Sequence, residues 1–154
     1  MRTRVALAHA TRAVLSVPLA TVPPMTEHAA NTPAAPPARL QVVALDCADP
    51  RALAAFYAAV LGTEIEEDGD ADWVQLAPVG GTPLAFQRVP DHRPPQWPGA
   101  EHPQQMHLDL EVDDLDAGEA AVVALGARKH EVQPGETFRV FLDPAGHPFC
   151  LVTA

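Results

Sequence analysis

The sequence predicts an α+β domain over residues 39–154, made of two tandem β-α-β-β-β modules. The first observation is that short apolar runs, typical of strands, alternate with single longer stretches of helical periodicity. The second is an internal repeat: an aspartate that can cap a helix and a glycine that can end one recur as Asp49 and Gly62 and again as Asp114 and Gly126. The aspartates lie 65 positions apart and the glycines 64, which a one-residue change in helix length reconciles.

The first module is predicted at about residues 40–89. A β-type run at 40–47 stops before Asp49, which can accept a backbone hydrogen bond as an N-cap, and Pro50 suits the first helical turn. An apolar stripe then predicts a helix that ends at Gly62. The stripe consists of Leu53, Phe56, Tyr57, Val60 and Leu61. Glycine-containing turns separate three further predicted strands at about residues 63–67, 72–77 and 83–89.

The second module is predicted at about residues 104–153, after a proline-rich connection at 90–103. It repeats the order of the first module, with Asp113 and Asp114 as candidate caps and Gly126 as the helix terminator. Its predicted elements are a strand at 106–112, a helix at 115–125, and strands at about 128–132, 138–142 and 148–152.

Residues 1–38 differ in composition from the rest of the chain. They carry three arginines against a single acid and end in a run of proline and alanine, which predicts a disordered Pro/Ala-rich leader. Two alternatives stay open. The first residues loosely imitate a secretory signal, although His9 and Arg12 interrupt its apolar stretch, and Met25 is a candidate for the true start.

Composition and charge exclude several classes of partner. Apolar residues make up 47% of the chain, which is typical of a globular domain. The formal net charge of −10, without a cluster of Lys or Arg, argues against nucleic acid. No apolar run reaches the roughly 18 residues that span a bilayer, so no membrane partner is expected. Cys47 and Cys150 are too few for a disulfide framework, which favours a reducing, cytoplasmic location.

Four separated segments, in this order, carry a resemblance to a known family. They are Asp46–Pro50 with Phe56-Tyr57 and Leu61-Gly62, then Phe86–Pro90, His107–Leu110 and Asp143–Phe149. Together they resemble the glyoxalase-like branch of the glyoxalase/bleomycin-resistance/extradiol-dioxygenase superfamily, also called the vicinal oxygen chelate (VOC) superfamily. The resemblance covers residues 40–152 and implies that the two modules form curved mixed sheets around a cavity.

The resemblance also implies where a metal would bind. Metal-binding members use four inward positions on the first and last strands of each module, and here these are Val42, Ala85 or Gln87, His107 and Cys150. His107 alone keeps the expected ligand type, and Val42 cannot bind a metal. No cofactor is therefore predicted, and His107 is the candidate ligand if a divalent metal binds. Members also pair modules between chains, which implies a homodimer with composite cavities.

Side-chain alternation identifies the residues that face the predicted cavity. Residues two apart on a strand share a face, so His107 and Asp109 face the cavity while Leu108 and Leu110 pack under the helix. By the same rule Cys150 lies on the cavity side and Cys47 on the helix side, so no disulfide is expected. The candidate substrate-binding residues are Asp46, Trp73, Gln87, His107, Asp109 and Cys150. Their acidic members favour a basic or polar aromatic ligand.

Two functions stay open at this point. The first is a protein that binds a small organic molecule, as bleomycin-resistance proteins do, without chemistry. The second is a lyase, isomerase, hydrolase or dioxygenase-type enzyme with His107 and Asp109 as catalytic candidates. His107 would be a general base that Asp109 orients, or a ligand of a rearranged metal site. The simpler alternative for the pair is a hydrogen bond. Cys150 is predicted to be a small buried residue rather than a nucleophile, because no neighbouring cation would stabilise its thiolate.

Overall fold

The computed structural model describes residues 38–67 and 70–153. The predictions for the leader, including a start at Met25, fall on residues outside these ranges, except for residue 38. Within the described ranges the fold is α+β, as predicted, and each module forms its own mixed sheet. Neither helix in this part of the chain has the length and hydrophobicity that a bilayer span requires.

The first module contains strands β1 (Val43–Cys47), β2 (Trp73–Gln75) and β3 (Leu84–Arg88) and helix α1 (Pro50–Leu61). The predicted caps of the helix are confirmed. The Asp49 carboxylate accepts a hydrogen bond from the backbone N–H of Ala52 at 3.0 Å, and Gly62 ends the helix at φ +63°, a conformation that glycine adopts without strain. β3 lies between β1, its parallel partner, and β2, its antiparallel partner.

The strand predicted at 63–67 is wrong, because this segment makes a single antiparallel bridge between Ile65 and Leu76. Two backbone hydrogen bonds flank the bridge, from Glu66 N–H to Gln75 and from Ala77 N–H to Glu64. Ile65 packs against the core, whereas the glutamates on either side of it are exposed. With one apolar side chain to bury, the segment gains too little from packing to extend the pairing.

The second module contains β4 (Leu108–Glu111), α2 (Leu115–Ala124), β5 (Arg128–Lys129), β6 (Phe138–Leu142) and β7 (Pro148–Val152). Its sheet order is β4-β7-β6-β5, with β4 parallel to β7. In both modules the first strand thus pairs in parallel with the last, so the predicted internal repeat holds at the level of topology. Asp114 caps α2 by accepting a hydrogen bond from Ala117 N–H at 2.7 Å.

Strand β5 is shorter than predicted because a side chain replaces its continuation. Gln133 Oε1 accepts a hydrogen bond from the backbone N–H of Val140, and Gln133 Nε2 donates to the Val140 carbonyl. The amide of Gln133 therefore takes the place that a paired strand residue would have. The predicted strand at 128–132 ends at Lys129 for this reason.

One hydrophobic core joins the two modules, and Tyr57 on α1 lies at the junction. Its ring stacks on Phe86 of the first sheet, with centroids 5.6 Å apart, and meets the edge of Phe149 of the second sheet at 6.4 Å. All three rings are fully buried. Burial of large aromatic side chains contributes on the order of 1.5–3 kcal/mol each, so this contact is a substantial part of what holds the modules together.

A buried carboxylate reinforces the same junction. Asp143, in the turn between β6 and β7, is 1% exposed and accepts a hydrogen bond from the hydroxyl of Tyr57 at 3.0 Å. The same carboxylate accepts from the backbone N–H groups of Ala145 and His147 and lies 3.0 Å from His147 Nδ1. His147 thus belongs to the turn that this carboxylate holds together. Burial and the neighbouring Asp143 raise the pKa of Tyr57 well above its usual value.

We expect Tyr57→Phe to lower the free energy of unfolding by about 1–3 kcal/mol, because it removes a donor from a buried carboxylate while the ring contacts remain. Urea denaturation followed by circular dichroism measures the change. Thr153→Val serves as a control, since it removes an exposed hydroxyl hydrogen bond to Thr137 and should cost less than about 0.5 kcal/mol. Equal stability of Tyr57→Phe and the wild type would show that the remaining donors satisfy Asp143.

Candidate functional site

A cavity of about 220 Å³ lies against one face of the second sheet. Most of its lining is apolar, and all of the lining residues come from the second half of the chain. The lining residues are Trp97, Gln104, His107, Pro134, Phe138, Val140, Pro148, Phe149 and Cys150.

The floor of this cavity follows from strand alternation. Cys150 on β7 pairs with Val140 on β6, and Phe138, two residues before Val140, shares its face of the sheet. Pro148 occupies the equivalent position on β7, two residues before Cys150. Alternate residues of two antiparallel strands therefore form one continuous apolar surface.

The proline-rich connection supplies a wall of the cavity through Trp97. The Trp97 ring meets the ring of His130 edge-on, with centroids 5.2 Å apart. Next to it, Gln96 N–H donates to the His102 carbonyl at 2.6 Å, which ties the two ends of the loop together. A large aromatic side chain is thus held at the cavity by a loop that lacks regular secondary structure.

Three polar groups gather where β4 and β7 run side by side. Asp109 on β4 pairs with Cys150 on β7, and His107 lies one residue before β4 begins. His107 Nε2 is 3.3 Å from Asp109 Oδ1. Together with the Cys150 sulfur, these ligand-type atoms all lie within 4.8 Å of one another. The side chains of His107 and Asp109 are 42% and 56% exposed, so the group lies at the open side of the cavity.

Both ring nitrogens of His107 have protein partners. Gln104 Nε2 lies 2.9 Å from Nδ1, so the amide can donate to Nδ1 when the ring proton is on Nε2, and Nε2 contacts the Asp109 carboxylate at 3.3 Å. The two contacts hold the imidazole in one orientation. They leave neither nitrogen free to accept a proton from a bound molecule unless one of these contacts opens.

The Cys150 thiol is poorly suited to nucleophilic chemistry. Burial, followed by the nearby negative charge of Asp109 and a hydrogen bond to it, raises the pKa of Cys150 to about 11. At neutral pH the side chain is therefore a thiol. Cys47 belongs instead to the hydrophobic core, and neither cysteine forms a disulfide, in agreement with the faces that alternation predicts for them.

The six predicted site residues fall into two groups of three. His107, Asp109 and Cys150 come together as described, whereas Asp46, Trp73 and Gln87 form a row across the first sheet, where Gln87 pairs with both of the others. None of this second group lines the cavity, and neither does Asp109. The acid-leaning lining expected from alternation is therefore not found in this cavity of the described region.

Seven of the nine lining residues are not among the site residues predicted from the sequence, and they include Trp97, Gln104, Phe138 and Val140. The last two follow from alternation once β6 is paired with β7 in register. Gln104 lies in a connection without periodicity, so no sequence signal places it. Trp97 lies in the same connection, and its side chain lines the cavity.

The four-ligand metal set implied by the family resemblance does not fit this chain. Val42 has no donor atom, and Ala85 is a fully buried apolar residue beside the exposed Gln87, a weak neutral donor. His107 and Cys150 then offer one imidazole and one thiol, both within the second module. These positions cannot rebuild a site shared between the two modules.

The repeated modules, the mixed sheets and the cavity against one of them define a protein of the VOC type. A family profile described as "Glyoxalase-like domain" matches residues 42–152. The chain therefore belongs to the glyoxalase-like domain family of the VOC superfamily, as the sequence motifs indicated.

Solved structures agree on the fold. A glyoxalase/bleomycin resistance protein/dioxygenase family enzyme from Burkholderia phytofirmans PsJN is 20% identical, with a TM-score of 0.60 over 75% of this chain and 98% of that one. A glyoxalase-related enzyme from Fulvimarina pelagi is 18% identical, with a TM-score of 0.57 over 75% and 88%. A lactoylglutathione lyase from Agrobacterium tumefaciens is 22% identical, with a TM-score of 0.53 over 78% and 96%. No curated protein sequence matches the chain significantly.

We expect the Cys150 thiol to react slowly with iodoacetamide. In chelator-treated Cys47→Ala protein, the native thiol at pH 7.5 should react roughly 100-fold more slowly than in the urea-unfolded chain, because the rate follows the thiolate fraction. Asp109→Asn should shift the pH profile of the rate to lower pH, with the midpoint still raised because burial is the larger cause. Mass spectrometry follows the alkylation, and rapid labelling of the native protein at pH 7.5 would contradict the raised pKa.

Proposed function

We propose that this protein binds a small organic molecule in the cavity against the second sheet, without the ancestral four-ligand metal site. The observation that carries the proposal is the shape and chemistry of the cavity, which is about 220 Å³ in volume, mostly apolar and polar at one side. A largely apolar pocket with a few convergent polar groups is the usual form of a small-molecule site.

The volume limits the size of the ligand. Pockets that enclose drug-sized molecules measure roughly 300–1,000 Å³, and this cavity is smaller. A molecule with a single ring matches it better than a fused polycyclic compound.

The lining limits the chemistry of the ligand. Trp97 and Phe138 offer ring surfaces, and the apolar floor excludes water, so an aromatic or heteroaromatic ring is favoured. His107 and Gln104 can hydrogen-bond a polar substituent at the open side. Asp109 lies beside them and would favour a substituent that is positively charged. The ligand class is therefore a single-ring aromatic compound with a polar or basic group.

An enzymatic function, as a lyase, isomerase or dioxygenase, is the second candidate. The pairing of His107 with Asp109 supports it, and one structural neighbour is named a lyase. We rank it below binding because both nitrogens of His107 have protein partners, so a role as general base requires the contact with Gln104 or with Asp109 to open. Enzymatic turnover that His107→Ala abolishes in a folded protein would reverse this ranking.

Two further expectations belong to the same proposal. A homodimer would bring a second chain to the row of Asp46, Trp73 and Gln87 on the first sheet, which has polar groups and an indole ring on one face. The free thiols of Cys47 and Cys150 support a reducing, cytoplasmic location. Light scattering after size-exclusion chromatography tests the dimer, and a monomer at all concentrations would contradict it.

Tryptophan fluorescence can test the binding function directly, because the chain has two tryptophans and Trp97 alone of them lines the cavity. In Trp73→Phe protein, a fragment set of single-ring aromatic compounds should contain members that change Trp97 emission at saturable concentrations. We expect His107→Ala to weaken their binding about 10-fold, since it removes one polar contact.

A cavity-filling variant provides the specificity control for this test. Val140→Phe places extra volume on the cavity floor and should weaken binding at least 10-fold, at a cost in stability of about 1–3 kcal/mol. Val132→Phe makes the same change at an exposed position outside the cavity and should bind normally. If no fragment changes Trp97 emission, or if the two phenylalanine variants bind alike, the cavity is not the binding site.

A further inference from the structure

We propose that His107, Asp109 and Cys150 form a binding site for one zinc-type divalent cation, with imidazole, carboxylate and thiolate as ligands. The site goes beyond the binding function proposed above, and either proposal can hold without the other. It shares His107 and Cys150 with the four positions that the family resemblance implies. It differs from them because Asp109 replaces the two positions of the first module, so that all three donors belong to one module.

The distances between the donor atoms fit a tetrahedral ion. Zinc binds nitrogen and oxygen at about 2.0–2.1 Å, so two such ligands lie about 3.3 Å apart around a tetrahedral centre. His107 Nε2 and Asp109 Oδ1 already lie 3.3 Å apart. A zinc–sulfur bond of about 2.3 Å requires the sulfur within about 3.6 Å of both. One ligand atom from each of the three residues lies within 4.8 Å of the other two. Side-chain rotations that move these atoms by about 1 Å therefore bring them to the distances that a zinc ion requires.

The backbone holds these donors in place before any ion arrives. Asp109 and Cys150 are register partners on adjacent parallel strands, and His107 is two residues from Asp109, on the same side of the chain. Sites on regular strands are better preorganised than sites on loops. The sheet therefore determines the spacing of Asp109 and Cys150, and His107 directly precedes β4, so binding requires little ordering of the chain.

Gln104 completes the site by orienting the imidazole. Its amide lies 2.9 Å from His107 Nδ1, and an amide can present either its NH₂ group or its oxygen to a ring nitrogen. With an ion on Nε2, the ring proton is on Nδ1, and Nδ1–H donates a hydrogen bond to the amide oxygen. Metal-binding histidines usually donate their second N–H in this way. Gln104 would thus act as a positioning residue.

The donor set favours a particular class of ion. A thiolate selects zinc-type ions over magnesium and calcium, which prefer oxygen ligands. A carboxylate and a thiolate together balance a charge of +2. On binding, the Cys150 S–H bond breaks, its proton goes to the buffer and a sulfur–metal bond forms, so one proton is released per ion. Three protein ligands leave a fourth position for water or for a polar atom of a cavity ligand.

Cobalt(II), which replaces zinc and absorbs visible light, tests the site in the full-length chain after treatment with a chelator. We expect one equivalent of cobalt to give tetrahedral d–d bands and a thiolate-to-cobalt charge-transfer band in the near ultraviolet. One equivalent of zinc should abolish both sets of bands, whereas excess magnesium should not. A weakly buffered pH indicator should report about one proton released per ion.

Matched variants assign the ligands. Cys150→Ser should abolish the charge-transfer band and weaken zinc binding at least 10-fold. Cys47→Ala, which removes the other thiol, should retain the charge-transfer band and the wild-type affinity for zinc. His107→Ala removes a half-exposed side chain, so it leaves the fold intact and should also weaken binding at least 10-fold. Gln104→Ala should weaken binding about 10-fold. Circular dichroism confirms that each variant is folded.

Two results would overturn the site: no stoichiometric cobalt spectrum, or a charge-transfer band that survives Cys150→Ser. Fragment binding detected through Trp97 fluorescence in the presence of chelator tests the proposed function separately from the cation site. Fragment binding without metal binding supports the cavity as a ligand site and contradicts the proposed cation site. Metal binding without any fragment binding supports the cation site and contradicts the proposed function.

Discussion

The buried hydrogen bond between Tyr57 and Asp143 is the constraint on which the arrangement of the two modules depends. A carboxylate that is 1% exposed is costly unless donors surround it, and here they come from the helix of one module and the turn of the other. The stacked rings of Tyr57 and Phe86 and the adjacent Phe149 supply the apolar part of the same junction. One side chain therefore serves both the core and the polar network, which ties the position of α1 to that of the second sheet.

The same carboxylate also determines the geometry of the candidate site. Asp143 orders the turn between β6 and β7 by accepting from the N–H groups of Ala145 and His147. That turn sets the pairing of Val140 with Cys150, which forms the cavity floor. β7 in turn aligns β4, so that Asp109 lies beside Cys150. Asp109 and Cys150, at the open side of the cavity, are thus connected to the core through a chain of strand pairings.

The sequence predicts what depends on short-range patterns. Helix α1 with its Asp49 and Gly62 caps, strands β6 and β7, the repeat of the two modules and the family follow from periodicity and motifs. The His107–Asp109 pair follows from strand alternation. The roles of Trp97 and Gln104 do not, because they lie in a connection whose course is set by tertiary packing. The separation of Asp46, Trp73 and Gln87 from the other candidates likewise depends on how the modules pack, which alternation within one strand cannot show.

The Gln133 side chain, which pairs with Val140 in place of a strand residue, affects how the edge of the second sheet can interact with other molecules. Where β5 ends, the N–H of Val140 would be free on the margin of the sheet without Gln133, and free backbone groups in a row recruit strands from other molecules. The Gln133 amide occupies the N–H and the carbonyl of Val140, and His130 N–H adds a second bond to the same carbonyl. This margin of the sheet therefore offers no free backbone group at Val140 for intermolecular β-pairing, which disfavours aggregation through the strand that lines the cavity.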